Sequence, residues 1–115
     1  MTPLLVDVIV TLQGDRFSPL NVTGWMLRDC PGLAVTPARL SETGTSLTYY
    51  CITHTPSGRR IGGQYTPFDA VNLMAELHTL DIDWTLPASA FGKGGIPYRT
   101  INEIVNRYDT AEDED

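Results

Sequence analysis

Reactive and metal-binding side chains are scarce in this 115-residue sequence. It holds two cysteines, Cys30 and Cys51, and two histidines, His54 and His78. Two cysteines cannot build the multiply bridged scaffold of a small secreted domain. Two histidines far apart in sequence do not supply the nitrogen or sulfur donors that zinc sites usually want. Lysine is almost missing: Lys93 stands alone against seven arginines. Excess positive charge is missing too, with 8 basic and 14 acidic side chains and a net charge of −6. That balance excludes nucleic-acid binding by a uniformly basic domain. No apolar run approaches the ~20 residues of a membrane-spanning helix, and the opening residues do not read as a basic-then-apolar leader. The expected location is therefore cytoplasmic, with both cysteines as thiols and with no metal, cofactor or membrane partner.

What is present describes an ordinary globular domain, 42% hydrophobic and 19% charged. The charge is unevenly placed. Five of the fourteen acids, Asp109, Glu112, Asp113, Glu114 and Asp115, fall in the last seven residues, leaving nine acids against eight bases in residues 1–108. Residues 1–108 thus read as one nearly neutral domain and residues 109–115 as a disordered acidic tail. Such a tail can also mimic a phosphate backbone on a basic partner surface. The preference for arginine, whose codons are GC-rich, points to a GC-rich bacterium or one of its phages.

Local patterns predict an α+β fold. Residues 4–12, LLVDVIVTL, read as a strand ended by Gly14-Asp15. Ser18-Pro19 can cap and start a helix, and LNVTGWMLRD after it is read as helical despite Gly24. LAVTPARL is extended, with Pro37 demanding an edge strand or a bulge. LTYYCITH, 47–54, is rich in β-branched and aromatic residues and reads as a strand. Thr55-Pro56-Ser57-Gly58 turns it into a return strand, RRIGGQY, in which Gly62-Gly63 suggests a bulge. Thr66-Pro67-Phe68-Asp69 is a helix start, with Thr66 as cap, Pro67 at the first position and Asp69 three residues on. The helix over 67–80 is apolar except for a stripe of Asp69, Asn72, Glu76 and Thr79, so it is expected to be well covered. A second helix, 97–108, places Tyr98, Ile101, Ile104, Val105 and Tyr108 on one face and an Arg99–Glu103–Arg107 ladder on the other. The expected architecture is a small antiparallel sheet of three or four strands with two helices packed on one face.

Chemistry-bearing constellations are few. Gly92-Lys93-Gly94-Gly95 lacks the upstream glycine and following Ser or Thr of a phosphate-binding P-loop, leaving Lys93 near a helix start where an anion could sit. His78 falls within the apolar arc of its helix and reads as a core residue; His78, Asp81 and Asp83 make a weak metal set. His54 and Ser57 could form two members of a catalytic triad, but no G-x-S-x-G elbow accompanies them, and turn chemistry explains Ser57. Cys51 reads as a small apolar filler. Asn21-Val22-Thr23 matches a glycosylation acceptor. The hairpin is richer: His54, Arg59, Arg60, Gln64 and Tyr65 lie within twelve residues. A β-ribbon carrying arginine and aromatic side chains can contact phosphates or enter a nucleic-acid groove; arginines there can also simply guard a sheet edge.

The segment ITHTPSGRRIGGQYTPFDAVNLMAELHTLDIDWT, residues 52–85, resembles short proteins of actinobacteria, their plasmids and their phages that pair a T-H-x-P-[ST]-G hairpin with a helix ending near Leu-x-x-Asp-Trp. The resemblance implies a mobile-element or accessory role and brings no catalytic residues. The expected function is that of a small non-enzymatic binding protein, an inhibitor or regulator of a host protein or protein–nucleic-acid complex, of the anti-CRISPR type. Its candidate contacts are His54, Arg59, Arg60, Tyr65, Lys93 and Arg99, with the acidic tail steering association. The alternatives are a module that binds nucleic acid directly through the basic hairpin, and a small hydrolase or ligand-binding domain.

Overall fold

The computed structural model describes residues 5–14, 16–87 and 98–113. Five strands run in sequence, β1 (Leu5–Leu12), β2 (Leu20–Leu27), β3 (Leu33–Arg39), β4 (Thr45–His54) and β5 (Arg59–Tyr65), followed by helices α1 (Pro67–Leu77) and α2 (Tyr98–Asp113). Each strand pairs antiparallel with the next, in the order β1-β2-β3-β4-β5. The class is the expected α+β, with five strands rather than three or four.

The additional strand is β2, where a helix was expected over LNVTGWMLRD. Its residues alternate: Trp25 and Leu27 contribute to the main core, whereas Val22 packs on the other face. Gly24, the helix-weakening residue, is here because two backbones meet. A Cβ on it would lie 2.5 Å from the Val35 carbonyl oxygen and 3.0 Å from the Thr36 methyl carbon. Pro37 sits in a central strand, against the edge-strand alternative. The sheet tolerates it because the register shifts between Pro37 and Arg39, so the bulge reading holds. A second register shift, between Tyr50 and Ile52, accommodates Gly62-Gly63 as expected, and the Gly63 N–H there donates to Tyr65 Oη at 2.9 Å.

Residues opposite each other in a sheet share a face. The pairs Trp25–Val35, Val35–Ile52 and Ile52–Ile61 therefore define the helix-bearing side. α1 packs on β3, β4 and β5, and α2 packs on β5 and α1. Thr66 caps α1 by accepting the Asp69 N–H, with Pro67 in the first turn. Leu73, Met74 and Leu77 of α1 are completely buried with Leu33, Val35, Ile52 and Tyr65, each such side chain contributing about 1.5–3 kcal/mol. Ile101, Ile104 and Val105 complete this core from α2. The expected ladder on α2 is only half made. Arg99 lies 3.6 Å from Glu103, but Arg107 reaches Glu76 on α1 at 2.6 Å and ties the helices together. The backbone of α2 continues past the expected end at 108 to Asp113, while the acidic side chains of the tail lie outside the described residues. Among the described residues, no helix is long and apolar enough to cross a membrane.

The other face of the sheet is covered by its own first hairpin. Val10 and Leu12 of β1 pack with Ala34 of β3, and the Gln13 N–H donates to the Gly58 carbonyl at 2.9 Å. The β1–β2 ribbon thus folds across the sheet until its tip meets the β4–β5 turn. Gly58 is the contact point, at φ 72°, and a Cβ there would run into the Thr11 carbonyl oxygen. Gly58→Ala should therefore lower stability by about 1–3 kcal/mol, through both the left-handed backbone and the lost approach. Urea denaturation measures the loss, and amide exchange at Gln13 should accelerate selectively.

Candidate anion-binding cleft

Folding β1–β2 over the sheet leaves a cavity of about 390 Å³ between the ribbon's tip and the β3–β5 surface. Its floor comes from strand alternation. Thr36 and Thr53 point away from the helices, and their buried hydroxyls hydrogen-bond each other at 2.7 Å. Cys51 follows on the same face of β4, opposite Thr36. Arg60 joins them because the β4–β5 register sets it opposite Thr53. The roof is the β1–β2 loop, with Gln13, Gly14, Arg16 and Phe17, and Arg39 closes the end of β3.

Four arginines, Arg16, Arg39, Arg59 and Arg60, line this one cavity, and no acidic side chain is among its described lining residues. Asp15 lies outside the described residues. Two of the guanidinium groups stack on Phe17, Arg39 at 4.8 Å and Arg16 at 5.8 Å from the ring centroid. Such contacts hold cations in place without neutralising them. Arg39 is fixed further by donating from Nε to the Ser41 carbonyl at 3.0 Å and from its terminal nitrogen to the Glu42 carbonyl. The Glu42 carboxylate accepts the Ser18 N–H at 3.0 Å. Hydrogen bonds from Ser18, then the nearby Arg39 charge, hold this carboxyl below its ordinary range. Both ends of the β1–β2 loop are thereby anchored. Among the described residues no carboxylate pairs with Arg16 or Arg60. Burial pushes the Cys51 thiol up, and the adjacent Arg60 only partly opposes this, so Cys51 is a neutral thiol at neutral pH.

The residues expected to bind a partner divide. Arg59 and Arg60 line the cleft. Tyr65 does not reach any surface: it is completely buried under the helices, edge-on to Tyr108 with centroids 6.4 Å apart. Strand alternation puts Tyr65 on the same face of β5 as Ile61, and the pairing of Ile61 with Ile52 makes that the helix-bearing face. Arg99 is exposed on α2, on the helix-bearing side and apart from the cleft. Lys93 lies outside the described residues, as do the side chains of Asp109, Glu112, Asp113, Glu114 and Asp115. His54 is buried at the end of β4 on the helix side, opposite Leu33. Its Nδ1 lies 2.8 Å from the Ser57 hydroxyl, which also accepts the Arg59 N–H at 3.2 Å. The His54 carbonyl meanwhile takes the N–H groups of Ser57 and Gly58. The pair fastens the hairpin turn, and neither member lines the cavity.

His78 is partly buried, edge-on to Trp84 at 6.5 Å. Asp83 accepts from the Thr85 backbone and hydroxyl instead of facing it. Among the described residues, no three metal-ligating side chains gather. The sequence reading missed Arg16, Phe17, Arg39 and the threonine pair. Thr36 and Thr53 alternate with apolar neighbours in both strands, which is the one local trace of a second, polar face. Scans against family models, curated proteins and solved structures give no match to this chain.

Burial lowers the proton affinity of both histidines; for His54 the backbone of Leu86 and Trp84 partly opposes this. Because the folded chain binds protons less readily than the unfolded one, their contribution is complete above the unfolded value of 6.5 and is lost as pH falls below it. The urea midpoint should decline between about pH 7 and pH 5.5, above the range where carboxylates titrate. His78→Leu should make that decline shallower.

Proposed function

We propose that this chain is a non-enzymatic binding protein whose working surface is the arginine-lined cleft and whose partner presents an anionic group to it. The observation that carries this reading is the convergence of four of the eight basic side chains on one cavity, in a domain (residues 1–108) whose nine acids and eight bases nearly cancel. Bringing like charges together costs free energy in the unbound protein, and an anion entering the cleft relieves that repulsion. Arginine suits the task, since its planar guanidinium stays charged and forms paired hydrogen bonds to carboxylate or phosphate oxygens.

The reading gives a physical form to the inhibitor or regulator expected from the sequence, phage- or plasmid-encoded and cytoplasmic. A host protein, or a protein–nucleic-acid complex, would supply the anionic group, and the acidic tail would act separately from the cleft. A second reading, direct nucleic-acid binding by the hairpin, is favoured by the position of Arg60 beside the polar floor.

A protein of net charge −6 has no general reason to adhere to a polyanion. Retention on an immobilised polyanion at low salt should therefore report the cleft, weaken steeply as salt rises, and disappear in the Arg16→Ala, Arg60→Ala double variant. Absence of retention by the parent protein at low salt would overturn the proposal.

A further inference from the structure

We infer that the cleft is a site for a phosphate monoester of nucleotide size, a deeper form of the binding role proposed above and resting on it. Three features select this ligand class. The first is size: about 390 Å³ is room for one nucleotide-sized molecule and far too little for a duplex. The second is charge. Arg16 and Arg60 have no carboxylate partner among the described residues, and Arg39 stands beside them, stacked on Phe17. Several guanidiniums lining one cavity match a terminal phosphate, with up to two negative charges and three acceptor oxygens, better than they match a single carboxylate.

The third feature is the floor. Thr36 and Thr53 are both 1% exposed, and one of their two hydroxyl protons is spent on the bond between them. The other has no acceptor among the described residues. A buried hydroxyl proton without an acceptor is costly, and an oxyanion at the base of the cavity supplies one. Arg60, opposite Thr53, is placed to bind the same group. Arg39 and Phe17, fixed to each other and to the β3–β4 loop, form the wall against which the rest of the ligand lies.

The test is titration of the full chain by calorimetry and by amide NMR with four probes: inorganic phosphate, a nucleoside monophosphate, a short single-stranded oligonucleotide without terminal phosphate, and an acidic peptide. The monophosphate should bind most tightly and shift the amides of Thr36, Thr53 and Arg60. Arg60→Ala should weaken it by about tenfold or more, and Arg60→Lys, which keeps the charge but loses the paired geometry, should recover only part. Because Arg60 is exposed and lies among like charges, neither variant should lower the parent's denaturation midpoint. A Thr36→Val, Thr53→Val variant, which removes both hydroxyls together, should reduce the preference of the site for phosphate over the acidic peptide. Tighter binding of the oligonucleotide would overturn the monoester assignment in favour of a strand-binding site. Arg60-dependent binding of the acidic peptide with no response to phosphate would overturn this inference and leave the anion-binding role standing. Silence from all four probes would overturn both, and monophosphate binding indifferent to Arg60 would show that the cleft is not the site.

Discussion

The Gln13 N–H bonds to the Gly58 carbonyl across 2.9 Å, and this contact, with the packing of Val10 and Leu12 on Ala34, keeps the first hairpin folded over the sheet. Everything distinctive on the non-helical face follows from that closure. Without it, Val10 and Leu12 lose the cover that makes them core residues, and the cleft has no roof. Gly24 permits the fold-over at one end, where β2 approaches the Val35 backbone too closely for any side chain. Gly58 permits it at the other. The two glycines act as a pair of clearances around which the ribbon bends.

The sheet divides its labour between its faces. One carries a continuous apolar core under α1 and α2, strengthened by the Arg107–Glu76 bridge. The other carries a small apolar patch beside a polar, arginine-lined hollow. Because the core face supplies most of the buried apolar area, the hollow can hold like charges at a tolerable cost to stability. This arrangement separates the basic cleft from the helix-bearing side, where α2 leads toward the acidic end of the chain.

Much of the fold was legible locally. The strand over 47–54, the turn after it, the Gly62-Gly63 bulge and the Thr66–Pro67 helix start all depend on neighbouring residues and are found where their patterns place them. β2 was not, because Ser18-Pro19 reads as a helix start and Gly24 shows its purpose only once the strand it touches is known. Tyr65 and Arg60 belong to the same short strand, yet one is sealed in the core and the other faces the hollow. Alternation over five positions puts them on opposite faces, and the pairing register with β4 decides which of those faces meets the helices.

By itself, the sequence determined the α+β class, the order of most elements, the Thr66 cap of α1 and the near-neutral balance of residues 1–108, since each rests on side-chain periodicity or composition within a few residues. Only the tertiary structure decided that Arg16, Arg39 and Arg60 share a cavity, although 23 and 21 positions separate them along the chain. The physical reason is that cross-strand register and the bend of the β1–β2 ribbon are set by contacts between distant segments. The roof of the cleft and its floor are joined by a backbone hydrogen bond, which leaves no mark on side-chain identity beyond the glycine that makes room for it.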